Sequence, residues 1–290
     1  MYNKLYTTDC FEQLKTYPLN CIDLVYLDPP FFTQKNWDDF KDTWKSMSHY
    51  INWLSKRLIE MKRVMKPTAS IYLHCDYHAS HYIKIELDKL FGVDNFRNEI
   101  IWRFSKINNI NNYFIPNHNT LFFYSKTDKY SFQAQYDTTR LRALYQRFEK
   151  YINKSNLLLY GSIKHKQQQL LTHYIAKETK RLGRDLLDDD FVIDFSKPEG
   201  RFEKVDDVWY IPLLKGNSTE NIGYSTQKPE ALLERIISAS SNIGDVVLDP
   251  MCGSGTACVV AKRLGRRYIG MDVSEKAIDI TRDRLNNIQV

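Results

Sequence analysis

A four-residue loop, Asp28-Pro29-Pro30-Phe31, directly follows the short apolar run Ile22–Leu27. Such a run is typical of a strand buried in a parallel sheet, and α/β folds build their sites where these strands end. The loop offers a carboxylate, a free carbonyl on Pro29 and the ring of Phe31. The carboxylate and the carbonyl can accept hydrogen bonds from the two hydrogens of an exocyclic amine, while the ring of Phe31 stacks on a planar nucleobase. A base in a duplex must flip out of the helix to reach such a loop. An ordinary strand-ending turn is the alternative interpretation.

A second strand–turn–helix pattern lies near the carboxyl end, at Val246–Thr256. Gly253 and Gly255 let the backbone approach a ligand closely, and the helix that follows presents free N–H groups. Asp272 comes after the next apolar run, where a carboxylate can accept hydrogen bonds from ribose hydroxyls. The third glycine of the dinucleotide pattern is missing, and Asp249 would repel a pyrophosphate. The pattern therefore favours an adenosine with a positive charge, such as S-adenosylmethionine, over NAD, although a structural turn would also explain the glycines.

Composition excludes several classes of protein. The chain has 290 residues, of which 43% are hydrophobic and 26% charged, the balance of a folded globular protein. No apolar run approaches the ~18 residues that span a bilayer, and the first residues lack a secretory pattern, so we expect neither a membrane protein nor a secreted one. The five cysteines form no C-x-x-C pair. We therefore expect no disulfide framework, no metal site and a reducing cytoplasm.

The excess of basic residues is concentrated in residues 139–186. The whole chain carries a formal charge of +6, this segment alone carries +8, and the remainder sums to −2. Tyrosines are interleaved with the basic residues. The segment therefore predicts a surface for a polyanion, although a solvated helical face would account for the charges equally well.

Strand-like and helix-like stretches alternate in residues 1–129 and again in 228–290, which predicts βαβ units and a mostly parallel sheet. The predicted strands are Ile22–Leu27, Ser70–His74, Glu99–Phe104, Leu121–Tyr124, Val246–Leu248 and Arg267–Met271. The predicted helices are Ile51–Met65, Ala79–Phe91, Lys228–Ser241, Thr256–Leu264 and Ser274–Asn286. Residues 130–222 break the alternation, so we expect an insertion with a small fold of its own.

Three separated motifs resemble those of the DNA amino-methyltransferases, which methylate the exocyclic nitrogen of adenine or cytosine. Asp28-Pro29-Pro30-Phe31 resembles the catalytic motif, and Asp249–Gly255 resembles the S-adenosylmethionine loop. Ser225–Pro229 resembles the segment that precedes this loop and completes the cofactor pocket. The order of catalytic motif, insertion and cofactor loop is the circularly permuted order of the β class. The resemblance covers roughly residues 1–128 and 223–290.

The resemblance implies a fold and its division into domains. The fold is α/β, a doubly wound, mostly parallel sheet of Rossmann-like methyltransferase type, circularly permuted, with an inserted target-recognition region. Residues 1–129 are the catalytic half of the methyltransferase domain, residues 130–222 the inserted target-recognition region, and residues 223–290 the cofactor-binding half of the same domain.

The resemblance also implies roles for individual residues. The catalytic residues are Asp28, Pro29, Pro30 and Phe31. The cofactor-binding residues are Asp9, Cys10, Lys228, Asp249, Pro250, Cys252, Gly253, Gly255, Thr256 and Asp272. Among these, Asp249, Gly253 and Gly255 line the methionine part of the cofactor, Asp272 takes the ribose hydroxyls, Asp9 and Cys10 meet the adenine ring, and Lys228 lies near the cofactor's carboxylate. Asp9 as a helix cap and Lys228 as a solvated side chain are the alternatives.

One further segment has a counterpart in the family, and three features depart from its pattern. Asn36–Phe40 resembles the mobile cover over the target base, where Trp37 either stacks or packs. The family more often has Tyr at the position of Phe31, often has Phe near Met251-Cys252, and frequently begins the segment at Ser225 with His-Pro or Tyr-Pro.

The implied activity is direct methyl transfer from S-adenosylmethionine to adenine N6 in duplex DNA, within a restriction-modification system. Asp at the first catalytic position favours adenine, because the cytosine enzymes more often carry Ser. No Cys follows a Pro, which argues against a cytosine-C5 mechanism. A cytosine-N4 enzyme, an inactive DNA-binding protein on the same scaffold, and an enzyme acting on RNA or a protein amide stay open as alternatives. Duplex DNA, a second copy of the chain and a cognate restriction endonuclease are the expected partners of a cytoplasmic, nucleoid-associated protein of bacterial or phage type.

Overall fold

The computed structural model describes residues 2–37, 40–106, 110–136, 145, 147–194 and 204–288. They form two compact units, one of residues 1–133 and 206–290 and one of residues 134–205. The insertion predicted at 130–222 thus ends earlier in the structure, because residues Val208–Tyr210 pair with a strand of the larger unit's sheet. Arg140 and Arg142 of the basic segment lie outside the described residues.

The strands in chain order are β1 Lys4–Thr7, β2 Ile22–Leu27, β3 Lys35–Asn36, β4 Lys41–Asp42, β5 Met65–Cys75, β6 Phe96–Arg103, β7 His118–Ser125, β8 Leu157–Leu159, β9 Phe191–Asp194, β10 Val208–Tyr210, β11 Val246–Asp249 and β12 Arg267–Asp272. The α-helices in the described residues, in the same order, are α1 Cys10–Lys15, α2 Met47–Val64, α3 Ser80–Phe91, α4 His165–Gln168, α5 Thr172–Leu182, α6 Glu230–Ser240, α7 Thr256–Arg263 and α8 Glu275–Asn286. In the part of the chain that the structure describes, no helix is long and apolar enough to cross a membrane.

The larger unit is built on one sheet with the strand order β1-β12-β11-β2-β5-β7-β6-β10. Strand β7 runs antiparallel to both its neighbours, and the other neighbouring pairs are parallel. The predicted Rossmann-like, mostly parallel sheet is therefore confirmed. Strands β11 and β12, from the end of the chain, lie between β1 and β2, from its beginning. This arrangement brings the two predicted halves into one domain and places the ends of their strands along one edge.

The predicted elements differ from the observed ones mainly at their ends. Helix α2 begins one turn earlier than predicted, because the side chain of Ser46 accepts a hydrogen bond from His49 N and caps it. The helix stops at Val64, and strand β5 starts at Met65, ahead of Pro67, which cannot donate within a helix. Ser274 caps α8 as expected, accepting from Ala277 N.

The smaller unit has a hydrophobic core of its own, made by Phe148, Leu158, Ile163, Leu171, Tyr174, Leu186, Val192 and Ile193. Strands β8 and β9 pair antiparallel beside helix α5. That helix places Glu178 in the interior, where it pairs with Arg181, and exposes Lys177 and Lys180. The smaller unit therefore has a packed hydrophobic interior.

Candidate active site

A cavity of about 660 Å³ opens in the larger unit where strands β1, β2, β11 and β12 end. Every residue predicted to act in catalysis or cofactor binding lines this cavity, with the exception of Gly255. Five separated segments of sequence thus meet. Four of them lie at or just after the end of a parallel strand of the same sheet, and the fifth, with Lys228, directly precedes helix α6.

Asp28 is held by two side chains from different elements. His74 Nδ1, on β5, lies 2.9 Å from Asp28 Oδ1, and Lys228 Nζ donates a hydrogen bond to Asp28 Oδ2. Burial by itself would raise the pKa of this carboxyl, but the charge of Lys228 and the contact with His74 outweigh burial and lower the pKa to about 2. Asp28 is therefore ionised throughout the neutral range. The same contact places Lys228 beside the predicted catalytic carboxylate rather than in open solvent.

The rest of the Asp28–Phe31 loop is fixed from behind by Tyr50 and Asp42. Tyr50, fully buried in α2, donates a 2.6 Å hydrogen bond to Pro30 O. Asp42, also buried, accepts from the backbone N–H groups of Phe31, Phe32 and Thr33 at 3.2, 2.9 and 2.8 Å. The backbone of Phe32 has a φ of 65°, which a bulky residue rarely adopts. A buried carboxylate that binds three successive N–H groups holds such a turn in place.

Two aromatic residues after this loop sit at the tip of the β3–β4 hairpin. Trp37 and Phe40 line the cavity, and their rings stack at 6.3 Å between centroids. Trp37 N donates to Phe40 O at 2.9 Å. Trp37 is 40% exposed. The segment predicted as a cover over the target base, Asn36–Phe40, therefore presents aromatic surface at the cavity, while its residues 38 and 39 lie outside the described part of the chain.

Asp249 and Asp272 surround the glycine loop. Gly253 N donates to Asp272 Oδ2 at 2.9 Å, so this carboxylate shapes the loop as well as facing the cavity. Asp249 is almost fully buried, and burial together with the charges of Asp28 and Asp272 raises the pKa of its carboxyl well above the usual range. A cation beside Asp249 would reverse this effect by favouring the ionised form.

Gly255 does not line the cavity, but it has a structural role. Its φ is 73°, and a Cβ at this position would lie 2.2 Å from Thr281 Cγ2 of helix α8. Thr281 Oγ1 in turn donates to Gly253 O at 3.1 Å. Gly255 therefore lets α8 pack against the loop, whereas Gly253 is the glycine that meets the cavity.

Asp9 performs the capping role that the sequence left as an alternative, and it also lines the cavity. Its Oδ1 accepts a 2.8 Å hydrogen bond from Phe11 N at the start of α1. Its Oδ2 forms an ion pair with Arg57, a largely buried residue of α2. Cys10 is buried, and burial raises the pKa of its thiol to about 12, so it stays neutral.

The sequence did not indicate four residues that complete the site: His74, Asn119, Asp42 and Tyr26. His74 is the last residue but one of β5, the strand next to β2, a position at which a polar side chain in a parallel sheet could have been recognised as a site residue. The other three had no such signal. Tyr26 lines the cavity, and its buried hydroxyl has no hydrogen-bond partner among the described residues.

The cavity fits a cationic nucleoside cofactor. Its wall carries the carboxylates Asp28, Asp249 and Asp272, and the buried hydroxyl of Tyr26 is available to a ligand. A sulfonium would offset the charge of Asp249, and the hydroxyls of a ribose could donate to the carboxylate of Asp272, which also lines the cavity. A dinucleotide would place its negatively charged pyrophosphate against the same acidic residues, and charge repulsion would oppose its binding.

The model of a family described as DNA methylase matches residues 22–283. This chain belongs to that family. Its methyl donor is S-adenosylmethionine and its substrate is DNA. The predicted family and methyltransferase activity are thereby confirmed.

Relatives and a solved structure resemble this DNA methylase over nearly its whole length. Type II methyltransferase M.HinfI of Haemophilus influenzae is 30% identical over 99% of this chain and 69% of its own. DNA adenine methyltransferase YhdJ of Escherichia coli K12 is 28% identical over 96% of this chain and 81% of its own. The solved PvuII DNA methyltransferase (cytosine-N4-specific) shares the fold, with a TM-score of 0.63 and 17% identity over 99% of this chain and 88% of that one.

Proposed function

We propose that this DNA methylase transfers a methyl group from S-adenosylmethionine to the exocyclic N6 of a flipped-out adenine. The observation that carries the proposal is the ionised, partly buried Asp28 beside Phe31 in the cavity that also holds the cofactor residues. Adenine is favoured over cytosine by Asp at the first catalytic position and by the name of the YhdJ relative.

The proposed methyl transfer depends more on orienting the target amine than on a general base that removes a proton from it. S-adenosylmethionine, when bound, supplies a methyl group on a sulfonium that is already a good leaving group. Asp28 accepts one N–H of the target amine and Pro29 O the other, since Pro30 O is taken by Tyr50. With S-adenosylmethionine bound, this orientation would leave the nitrogen lone pair free to attack, and the negative charge of Asp28 would stabilise the positive charge that grows on the nitrogen. The methylated amine then sheds one proton, which leaves to water.

The smaller unit is proposed as the target-recognition region, supported by its own core and its exposed lysines. A cytoplasmic protein at bacterial DNA, working beside a restriction endonuclease, follows from the same proposal and from the Type II name of the M.HinfI relative. The second copy of the chain and the endonuclease stay predictions.

The test is methylation of unmethylated bacterial DNA, followed by digestion to nucleosides and mass spectrometry. We expect N6-methyladenine from the wild-type protein. Removing one preorganised polar partner of a transition state costs about 3–4 kcal/mol, roughly 10²–10³-fold in rate. Asp28→Ala is therefore expected to be almost inactive, while S-adenosylmethionine still raises its Tm and DNA still binds.

Each other outcome has a definite meaning. N4-methylcytosine would keep the mechanism and overturn the choice of base. Turnover by Asp28→Ala within a few-fold of the wild type would overturn the role of Asp28. No methylated base, despite a Tm shift with S-adenosylmethionine, would favour the inactive DNA-binding scaffold or a substrate other than DNA.

A further inference from the structure

His74 contacts both chemically important side chains of the catalytic loop. It is completely buried near the end of β5, with Nδ1 2.9 Å from Asp28 Oδ1. The ring of Phe31 meets the imidazole edge to face, with centroids 4.9 Å apart and planes at 76°. Trp102 packs against His74 at 5.3 Å between centroids. One side chain thus touches the carboxylate and the aromatic ring that the proposed reaction uses.

Asn119 decides which nitrogen of His74 carries the proton. Asn119 Nδ2, on the neighbouring strand β7, lies 2.9 Å from His74 Nε2. An amide NH₂ can only donate, so Nε2 must accept and the proton of the neutral ring must sit on Nδ1. Nδ1 lies 2.9 Å from Asp28 Oδ1, a contact in which the N–H is not aligned as a hydrogen bond. The contacts therefore run in one order, from Asn119 to His74 to Asp28.

The surrounding charges allow this ring to remain neutral. Burial lowers the pKa of His74 below its usual value, with Lys228 acting in the same direction, although Asp28 and Asp76 act in the opposite one. A neutral imidazole can still donate one hydrogen bond to the carboxylate. It orients Asp28 without neutralising the negative charge that stabilises the reacting nitrogen.

We propose that His74, held in one tautomer by Asn119, is a positioning residue that fixes the plane of the Asp28 carboxylate and the ring of Phe31 together for methyl transfer. The inference rests on the proposed role of Asp28. In this arrangement His74 contacts Oδ1 of the Asp28 carboxylate. The target amine must then reach Oδ2, which accepts a hydrogen bond from Lys228 in this structure.

The first test compares His74→Asn with His74→Leu. The two side chains have nearly the same shape, and both remove the imidazole ring, but only Asn can place an N–H near the position of Nδ1. We expect His74→Leu to lose about 10²-fold in kcat, and His74→Asn to recover at least tenfold of that loss. The KM for S-adenosylmethionine and the Tm shift that it produces should stay close to wild type in both.

The second test changes the tautomer without touching His74. Asn119→Asp replaces the donor with an acceptor, so that only a doubly protonated His74 can satisfy both carboxylates. Activity of this variant should therefore fall as pH rises through the new pKa of His74, whereas the wild type should show no such loss. Asn119→Ala is the control, since it removes the donor and adds no charge.

The outcomes separate this inference from the proposed function. A wild-type protein that methylates no DNA overturns both. An active wild type with equal kcat for His74→Asn and His74→Leu makes the ring a packing element only and overturns this inference alone. A pH profile of Asn119→Asp that matches those of the wild type and Asn119→Ala likewise overturns the assigned tautomer.

Discussion

At the residue scale, the cavity contains two carboxyl groups whose pKa values are shifted in opposite directions. Asp28 is kept ionised by Lys228 and His74, whereas Asp249 has no cation bound to it in the described residues and its pKa is raised by burial and by its acidic neighbours. The first suits a group that must carry charge during the reaction. The second suits a group whose charge appears when a cation arrives.

The raised pKa of Asp249 predicts a pH-dependent stability. Without cofactor the folded protein holds this proton more tightly than the unfolded chain does, so the stabilising contribution is complete below about pH 4 and is lost as pH rises through the folded pKa. Asp249→Asn cannot lose a proton, so without S-adenosylmethionine its Tm should increasingly exceed that of the wild type as pH rises. Thermal unfolding of both proteins between pH 5 and 9 measures this difference.

Stability without cofactor favours the protonated form of Asp249, whereas cofactor binding should favour the ionised form. Ionised Asp249 attracts the sulfonium, so the Tm shift with S-adenosylmethionine should be larger for the wild type than for Asp249→Asn, and most so at high pH. Asp28, Asp272 and Lys228 face the same carboxyl and are unchanged in both proteins. A constant Tm difference across the pH range would contradict the assignment of the raised pKa to Asp249.

Most of the candidate residues that sequence reasoning found lie in or beside a short motif that follows a strand, whereas Lys228 lies in a motif that precedes a helix. Asp28, Asp249 and Asp272 are of the first kind. Asn119 begins no recognisable motif, and it meets His74 only because β5 and β7 pair antiparallel across 45 residues of sequence. Long-range pairing of this kind leaves no local pattern in one sequence, so the positioning of Asp28 could not have been predicted.

At the element scale, the turn between β11 and α7 depends on Gly255. We expect Gly255→Ala to lower the Tm strongly and to abolish the Tm shift with S-adenosylmethionine, because a Cβ here would collide with Thr281 and displace the loop. Gly244→Ala is the matched control. Its φ is 85° and a Cβ would meet nothing within 4 Å, so it should cost only the backbone strain of about 1–2 kcal/mol and leave cofactor binding intact.

Equal effects of the two alanine variants on cofactor binding would contradict the role assigned to Gly255. Thermal unfolding with and without S-adenosylmethionine gives both quantities in one experiment.

The predicted bounds of β2, α3 and α8 agree with the structure to within one residue, whereas the β3–β4 hairpin was not predicted. Each strand of that hairpin has two residues, too few for any periodicity. Its position depends on Asp42, whose buried carboxylate binds the turn after the catalytic loop. A buried acid in a polar stretch of sequence looks like a surface residue, so its structural role became visible only in the fold.

At the scale of the whole molecule, the sequence predicts two electrostatic characters, and the structure assigns each to a compact unit. The basic segment falls within residues 134–205, whose core is independent of the methyltransferase sheet. The acidic cavity lies in the larger unit, where it suits a cationic cofactor. A polyanion and a cation are thus expected to bind to different units of one chain.

This division predicts that DNA affinity and cofactor affinity can be changed separately. Lys177→Glu together with Lys180→Glu reverses two exposed charges of helix α5. Each lysine that contacts a phosphate contributes about 0.9 to the slope of log K against log salt. We expect the double variant to bind duplex DNA more weakly at low salt and with a slope smaller by about 1–2, while the Tm shift with S-adenosylmethionine is unchanged. The control is Lys15→Glu with Lys89→Glu, which makes the same charge change in the last turns of α1 and α3 of the larger unit, at two residues that do not line the cavity. Equal slopes for the two double variants would show that only net charge matters and would remove α5 from the DNA-binding surface.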